Sequence, residues 1–290
     1  MKKFSERAGI TKPKTEIQLN TMDSDLRNCL WNATSETYWE PNHYFTIQGT
    51  GYMNDDMLSF MKLFWDSYFK KPNDSVTTYN WNKIYGELRL YYFHCQWYEV
   101  YNFIEFCAQN YPNQISNARF IQTCNRVLER ELSGYRFVGN QIAQITSKEE
   151  ISEIEDALAT PFKTVNIHIS NALKLMSDKK NPDYRNSIKE SISAVESICR
   201  IIAKNEKATL GNALDIIESK VKLHGALKRA FDSLYGYTSS AEGIRHSLLE
   251  EKTTLESEDA KFMLISCSAF VNFLISKASR LGISINSSVG

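Results

Sequence analysis

Apolar residues recur at helical spacing along most of the chain. In the first half, apolar positions three and four residues apart predict helices over residues 57–69, 81–110 and 116–133. In the second half the same spacing predicts helices over residues 162–176, 182–204 and 260–279. Many apolar positions of the first half are aromatic, and aromatic side chains at helical spacing are most often core residues. The pattern therefore predicts a mainly α-helical protein.

One stretch breaks the helical pattern and favours strands. Residues 134–146 place two short β-prone runs around Gly139-Asn140, a pair that can supply the positive φ angles of a tight hairpin turn. We expect the only strands of the protein here, between Tyr135 and Ile145. A lone hairpin is marginally stable in water, so this one must pack against helices.

The domain boundary is expected directly after this hairpin. Ser147 and Glu150 have the spacing of a capping box, which predicts the start of a new helix. Residues 1–146 are thus predicted to form one helical domain that ends in a β-hairpin, and residues 147–290 a second domain that is a compact helical bundle.

The predicted helix over residues 182–204 has two distinct faces. Its buried stripe is expected to comprise Ile188, Ile192, Val195, Ile198, Cys199 and Ile202. The opposite face carries Asn186, Glu190, Ser193, Ser197 and Arg200, with Glu196 beside it. In the last helix, Phe262, Ile265, Ala269, Phe270, Phe273 and Leu274 are expected to be interior. His168, which lies between two isoleucines, is interpreted as structural.

Charge and cysteine content limit the classes of function. Lys+Arg and Asp+Glu balance at 34 each, so a polyanion site must be a local patch. The six cysteines show no C-x-x-C spacing, which is typical of reduced thiols in a cytoplasmic protein and argues against a metal site. The N-terminus has no apolar core, and the apolar run over residues 262–275 is shorter than the roughly 20 residues that span a bilayer. We expect no membrane segment and no cofactor.

The stretch over residues 234–248 offers the clearest candidate chemistry. Arg245 and His246 are adjacent and follow Gly243 between two helical patterns. Arginine holds a phosphate bidentately and stays charged, and histidine can move a proton near neutral pH. Together they suit phosphodiester chemistry without a metal. An Arg-His pair at a helix start is also commonly a solvated face or a cap contact.

The segment Gly243-Ile244-Arg245-His246 resembles the loop of the HEPN-like C-terminal domains found in abortive-infection proteins. The resemblance implies a helical bundle and a metal-independent RNA endonuclease that leaves 2′,3′-cyclic phosphate ends. Arg245 would neutralise charge on the phosphate, and His246 would move a proton. From the polar face of the helix over residues 182–204, Glu190, Glu196 and Asn186 are predicted to support the site, with Glu190 or Glu196 orienting Arg245; the alternative is that this face is simply solvated. HEPN domains commonly act as dimers.

The HEPN signature is only partly present. It consists of an arginine, a polar residue (Asn, Asp or His) and then a histidine four to six residues further on. His246 fits the polar position, but Glu250, Glu251 and Lys252 occupy the positions where the later histidine is expected. The alternative is therefore a catalytically silent HEPN-like module that mediates dimerisation, RNA binding or partner binding.

The first domain carries a second resemblance. Phe4-Ser-Glu-Arg7, the run Met-Asp-Ser-Asp-Leu-Arg-Asn over residues 22–28, Leu30-Trp31-Asn32 and Gly134-Tyr-Arg-Phe137 are similar to an N-terminal domain of AbiJ-type abortive-infection proteins. This resemblance implies anti-phage defence, with the first domain as a sensing or specificity element. The sequence does not identify a trigger or partner protein from a phage.

We predict a homodimer that forms through residues 147–290, with the two copies of Arg245 facing a shared cleft. A single loop on a small bundle is too shallow to grip an RNA strand, whereas two loops across a two-fold axis form a composite groove. Light scattering at micromolar concentration should give the mass of a dimer. A monomer, or a dimer structure with the two loops pointing apart, would contradict this prediction.

Overall fold

The computed structural model is mainly α-helical, which confirms the predicted fold class. It describes residues 4–8, 10, 14–45, 51–178, 181–207, 215, 218, 224–239 and 255–280. The chain divides into two compact units, Met1–Thr146 and Ser147–Gly290. We refer to them as unit 1 and unit 2, and each has its own buried core.

Unit 1 combines short helices with two hairpins. Its helices are α1 (Phe4–Arg7), α2 (Ser24–Thr34), α3 (Asp55–Leu63), α4 (Trp81–His94), α5 (Trp97–Asn110) and α6 (Gln114–Arg130). A π-helical turn, Ser35–Trp39, and a 3-10 turn, Glu40–Asn42, follow α2, and a second π-helical turn, Phe64–Tyr68, extends α3. The strands are β1 (His43–Phe45), β2 (Gly51–Met53), β3 (Arg136–Val138) and β4 (Gln141–Ala143).

Side-chain caps fix where several of these helices begin. The carboxylate of Asp23 accepts a hydrogen bond from the backbone N–H of Leu26 at 2.9 Å. The side chain of Asn54 does the same for Met57, also at 2.9 Å. In each case the cap satisfies a first-turn N–H group that has no partner within its helix.

The single helix predicted over residues 81–110 is in fact two helices. The helix α4 ends before Cys95, whose backbone is extended, and α5 begins after Gln96. The carboxylate of Glu99 accepts a hydrogen bond from the backbone N–H of Gln96 at 2.7 Å, which caps the new helix. Glutamine is an uncommon N-cap residue, so the apolar periodicity concealed the break.

Unit 1 also contains more strands than the sequence predicted. The expected hairpin is present, with Val138 opposite Gln141 and Gly139 at a φ of 57° in the turn. The expectation that strands occur only there is wrong, because β1 and β2 form a second antiparallel hairpin in which Tyr44 lies opposite Tyr52. Each of these strands has only three residues, which is too short for alternation to stand out in the sequence.

Aromatic side chains fill the core of unit 1, as the periodicity predicted. Residues with at most 1 % exposure include Tyr38, Trp39, Phe60, Phe64, Tyr92, Phe103, Phe120 and Phe137. The buried hydroxyl of Tyr38 donates to the side-chain carbonyl of Asn117 at 2.9 Å. The amide of Asn117 in turn donates to the backbone carbonyl of Tyr111 at 2.8 Å, so this polar pair inside the aromatic core is satisfied.

Arg27 joins α2 to the end of α4. Its guanidinium donates to the backbone carbonyl of Tyr92 at 2.6 Å and to that of Cys95 at 3.0 Å. The hydroxyl of Tyr92 donates back to the carbonyl of Arg27 at 3.1 Å. Carbonyls at a helix C-terminus lack partners within the helix and favour a cation, so Arg27 caps α4 with a side chain from α2.

Unit 2 is a helical bundle. Its helices are α7 (Lys148–Leu158), α8 (Lys163–Ser177), α9 (Tyr184–Ala203), α10 (Gly225–Ser239) and α11 (Ser257–Arg280). The helix α9 packs against both α8 and α11, and its predicted apolar stripe is buried. The buried hydroxyl of Ser187 donates to the carbonyl of Ala172 at 2.7 Å, which ties α9 closely to α8.

Among the described residues, α11 is the one helix long and apolar enough to cross a membrane by length and composition alone. In unit 2 it packs against α7, α8 and α9. The amide of Asn272 on α11 donates to the carbonyl of Glu153 on α7 at 2.9 Å. The prediction that Phe262 is interior is wrong, since its side chain is 59 % exposed.

We predict that Arg27→Ala lowers the free energy of unfolding of unit 1 by about 2–4 kcal/mol, because two helix-end carbonyls lose a charged donor. Arg27→Lys should cause a smaller loss in the free energy of unfolding than Arg27→Ala, since lysine keeps the charge but lacks the fork that reaches both carbonyls. All five tryptophans lie in unit 1, so urea unfolding followed by tryptophan fluorescence reports on this unit alone.

A suitable control is Arg126→Ala. Arg126 is exposed, and among the residues that the structure describes its guanidinium bonds only the hydroxyl of Thr123 in its own helix, at 3.1 Å. A loss for Arg27→Ala no larger than that of the control would show that water replaces the cap.

Candidate functional site

The two residues predicted to be catalytic, Arg245 and His246, lie outside the described residues, in the segment between α10 and α11. The three supporting residues are described, and all of them belong to α9. The geometry of unit 2 therefore shows what surrounds Asn186, Glu190 and Glu196.

Glu190 is the centre of a small polar cluster between α8 and α9. Its carboxylate lies 2.8 Å from Nδ1 of His168, and the amide of Asn171 donates to the same oxygen at 3.4 Å. The side chains of His168 and Glu190 are 31 % and 28 % exposed, respectively. A carboxylate bound at Nδ1 fixes the orientation of the imidazole ring.

Asn186 stabilises the first turn of α9. Its backbone N–H and its side-chain amide donate to the two carboxylate oxygens of Asp183, at 3.0 and 2.6 Å. Asp183 is the N-cap residue of α9, so this pair stabilises the first turn of the helix. The observed contacts of Asn186 are thus those of helix capping.

Glu196 makes a contact within its own helix. Its carboxylate lies 3.4 Å from the guanidinium of Arg200, one turn further along α9. Such i,i+4 ion pairs contribute only about 0.3–0.5 kcal/mol. In the described part of unit 2, the side chains of Asn186, Glu190 and Glu196 are therefore in three separate local arrangements.

His168 pairs with Glu190, a contact that the sequence analysis does not predict. Apolar residues flank His168 in the sequence, which favours a structural role, and nearly a third of its side chain is exposed beside Glu190. The spacing of polar residues in the sequence could have indicated this pair. His168 and Asn171 lie three residues apart on α8, so they share a helix face, and Glu190 lies on the polar face of the next helix.

The buried cysteines of unit 2 are unsuited to nucleophilic chemistry. Burial raises the pKa of Cys199 to about 12 and that of Cys267 to about 12. The nucleophile is the thiolate, which is scarce at neutral pH when the pKa is that high. Across the described residues there is also no group of three or more His, Cys, Asp or Glu side chains placed to hold a metal ion.

Comparison with known families concerns mainly unit 1. A sequence model of the family described as AbiJ N-terminal domain 4 matches residues 2–160, which is more than half of the 290 residues. The match covers unit 1 from residue 2 onward and continues through α7. No curated protein and no solved structure matches the chain.

We predict that His168→Ala changes the free energy of unfolding of unit 2 by less than about 1 kcal/mol, because ion pairs this exposed contribute little to stability. Ile192→Ala is the contrasting variant. Ile192 lies on the buried face of the same bundle with 3 % exposure, and its truncation should cost about 2–5 kcal/mol. Far-UV circular dichroism measures both units, and tryptophan fluorescence separates out unit 1. Equal losses for the two variants would contradict the prediction.

Proposed function

Because the chain belongs to the AbiJ N-terminal domain 4 family, and with it to the abortive-infection proteins, we propose that unit 2 is a HEPN-type endoribonuclease that acts in anti-phage defence. The observation that carries this proposal is the Gly243-Ile244-Arg245-His246 segment. It joins α10 to α11 of a helical bundle that follows an AbiJ-type domain in the same chain.

The proposed reaction needs no metal. The 2′-hydroxyl of RNA attacks the adjacent phosphorus, a new P–O2′ bond forms, and the P–O5′ bond breaks. His246 takes the proton of the 2′-hydroxyl, and Arg245 stabilises the negative charge that builds on the phosphate oxygens. The products are a 2′,3′-cyclic phosphate and a 5′-hydroxyl.

A homodimer makes this chemistry complete. One imidazole removes the proton from the attacking hydroxyl, and a second imidazole is needed to protonate the departing O5′. Two copies of His246 that meet across a two-fold axis would supply both. The proposal therefore includes a homodimer through unit 2, RNA as substrate and a cytoplasmic location.

A second candidate is a binding module without catalytic activity. The observation in its favour is that Glu250, Glu251 and Lys252 occupy the positions where the HEPN signature places its later histidine. In that case unit 2 would mediate dimerisation, or bind RNA or a partner protein, without cutting it.

We predict that Arg245→Ala and His246→Ala each lower RNA cleavage about a hundredfold or more, because each removes either a charge-stabilising donor or a proton-transfer group. Arg245→Lys should also fail, since lysine keeps the charge but loses the bidentate fork. The measurement is cleavage of RNA by the purified protein in EDTA, with analysis of the product ends, together with phage protection in cells.

Matched controls are His94→Ala and Arg280→Ala. Both residues are exposed, one on α4 of unit 1 and the other at the end of α11. Cyclic-phosphate ends that the controls retain and the Arg245 and His246 variants lose would support the nuclease. Full phage protection by the Arg245→Ala and His246→Ala variants would leave the binding module as the surviving function.

A further inference from the structure

A cleft of about 500 Å³ opens on unit 1 between α2 and α4. One wall is a stripe of α2 and the turn that follows it, with Asn28, Asn32 and Glu36. The other wall is a stripe of α4, with Tyr85, Arg89 and Phe93. In both stripes the residues are four positions apart, so helical periodicity places each set on one face.

The apolar part of the cleft is aromatic. The ring centroid of Trp31, which is 5 % exposed, lies 5.7 Å from that of Tyr85 and 5.5 Å from that of Phe93. The guanidinium of Arg89 lies 4.8 Å from the centroid of Phe93, on its face. Aromatic rings and guanidinium planes are the surfaces on which proteins stack nucleobases.

The polar part of the cleft has hydrogen-bonding capacity to spare. The side chains of Asn28, Asn32 and Glu36 are exposed to solvent, and within the part of unit 1 that the structure describes they make no hydrogen bond to another residue. One carboxylate oxygen of Glu40 accepts from the hydroxyl of Ser35 at 3.3 Å, which leaves the other oxygen. An asparagine amide can bind the edge of a base bidentately, and a carboxylate accepts from an exocyclic amino group.

The charge of the lining selects among ligands of this kind. Two carboxylates, Glu36 and Glu40, outweigh the single guanidinium of Arg89. A site with a net negative charge repels phosphate groups, so it disfavours nucleotides and the backbone of a nucleic acid strand. The volume falls within the roughly 300–1,000 Å³ of small-molecule sites.

We propose that this cleft binds a free nucleoside whose base carries an exocyclic amino group, such as adenosine or cytidine. The base stacks against a wall formed by the ring of Tyr85 and by the guanidinium of Arg89, which lies over the face of Phe93. The amides of Asn28 and Asn32 bind its edge, and Glu36 accepts from the amino group. The site belongs to unit 1 and does not depend on the nuclease activity of unit 2.

The two walls are held in place without a ligand. Arg27 lies next to Asn28 on α2, and its bonds to the carbonyls of Tyr92 and Cys95 fix α2 against the end of α4. A cleft that already has its bound shape loses little affinity to reorganisation.

The test is isothermal titration of the full-length chain with adenosine, cytidine, uridine and ATP. Adenosine or cytidine should bind more tightly than uridine, which lacks the amino group, and ATP should bind more weakly than adenosine. Asn32→Ala and Glu36→Gln should each weaken binding about tenfold or more. Asn32 and Glu36 are exposed, so neither substitution threatens the fold. Gln122→Ala, an exposed residue of α6 away from the cleft, is the control.

Three results would overturn the proposal. The first is no binding of any nucleoside at millimolar concentration by a chain whose tryptophan fluorescence shows unit 1 to be folded. The second is binding of ATP that is tighter than that of adenosine and is lost in Arg89→Ala, which would make the cleft a phosphate site. The third is binding of Nα-acetyl-arginine amide without binding of nucleosides, which would assign the cleft to a cationic side chain of a partner protein.

Discussion

The contact on which the architecture of unit 1 depends is the one between Arg27 and the end of α4. The chain turns sharply at Cys95 and Gln96, and this turn exposes carbonyls that neither α4 nor α5 can satisfy. Arg27 satisfies two of them from another helix. The break between α4 and α5 is therefore stabilised by a residue about 65 positions earlier in the chain, so α2 must be in place for this turn to be stable.

Trp31 shows how the same helix organises the aromatic core. It lies one turn after Arg27 on α2, and its ring contacts those of Tyr92 and Phe103 as well as the rings that line the cleft. The guanidinium of Arg27 and the indole of Trp31 thus lie on the same face of α2. Packing and capping together set the separation of α2 and α4, which makes the cleft a property of the core rather than of a surface loop.

The sequence pattern predicted those elements that are stabilised by residues close to one another in the chain. The buried stripe of α9 followed from helical periodicity, and the β3–β4 hairpin followed from the positive φ that Gly139 can adopt. The break at Cys95 did not follow, because its stabilising partner, Arg27, is distant in sequence. The pairing of His168 with Glu190 was missed because it depends on how α8 and α9 face each other. The polar face of α9 was visible in the sequence, but which partners it meets is a tertiary property.

The region that matches the family model extends past the boundary between the two structural units. The structural boundary lies between Thr146 and Ser147, whereas the match extends to residue 160 and includes α7. Yet α7 packs within unit 2, where Glu150 is 2.9 Å from Lys261 of α11. A fragment that ended at residue 160 would therefore carry α7 without the helices that bury its apolar face. The remaining part of unit 2 would lose the helix that packs against α8 and α11, so an independently folded unit 2 has to begin before α7.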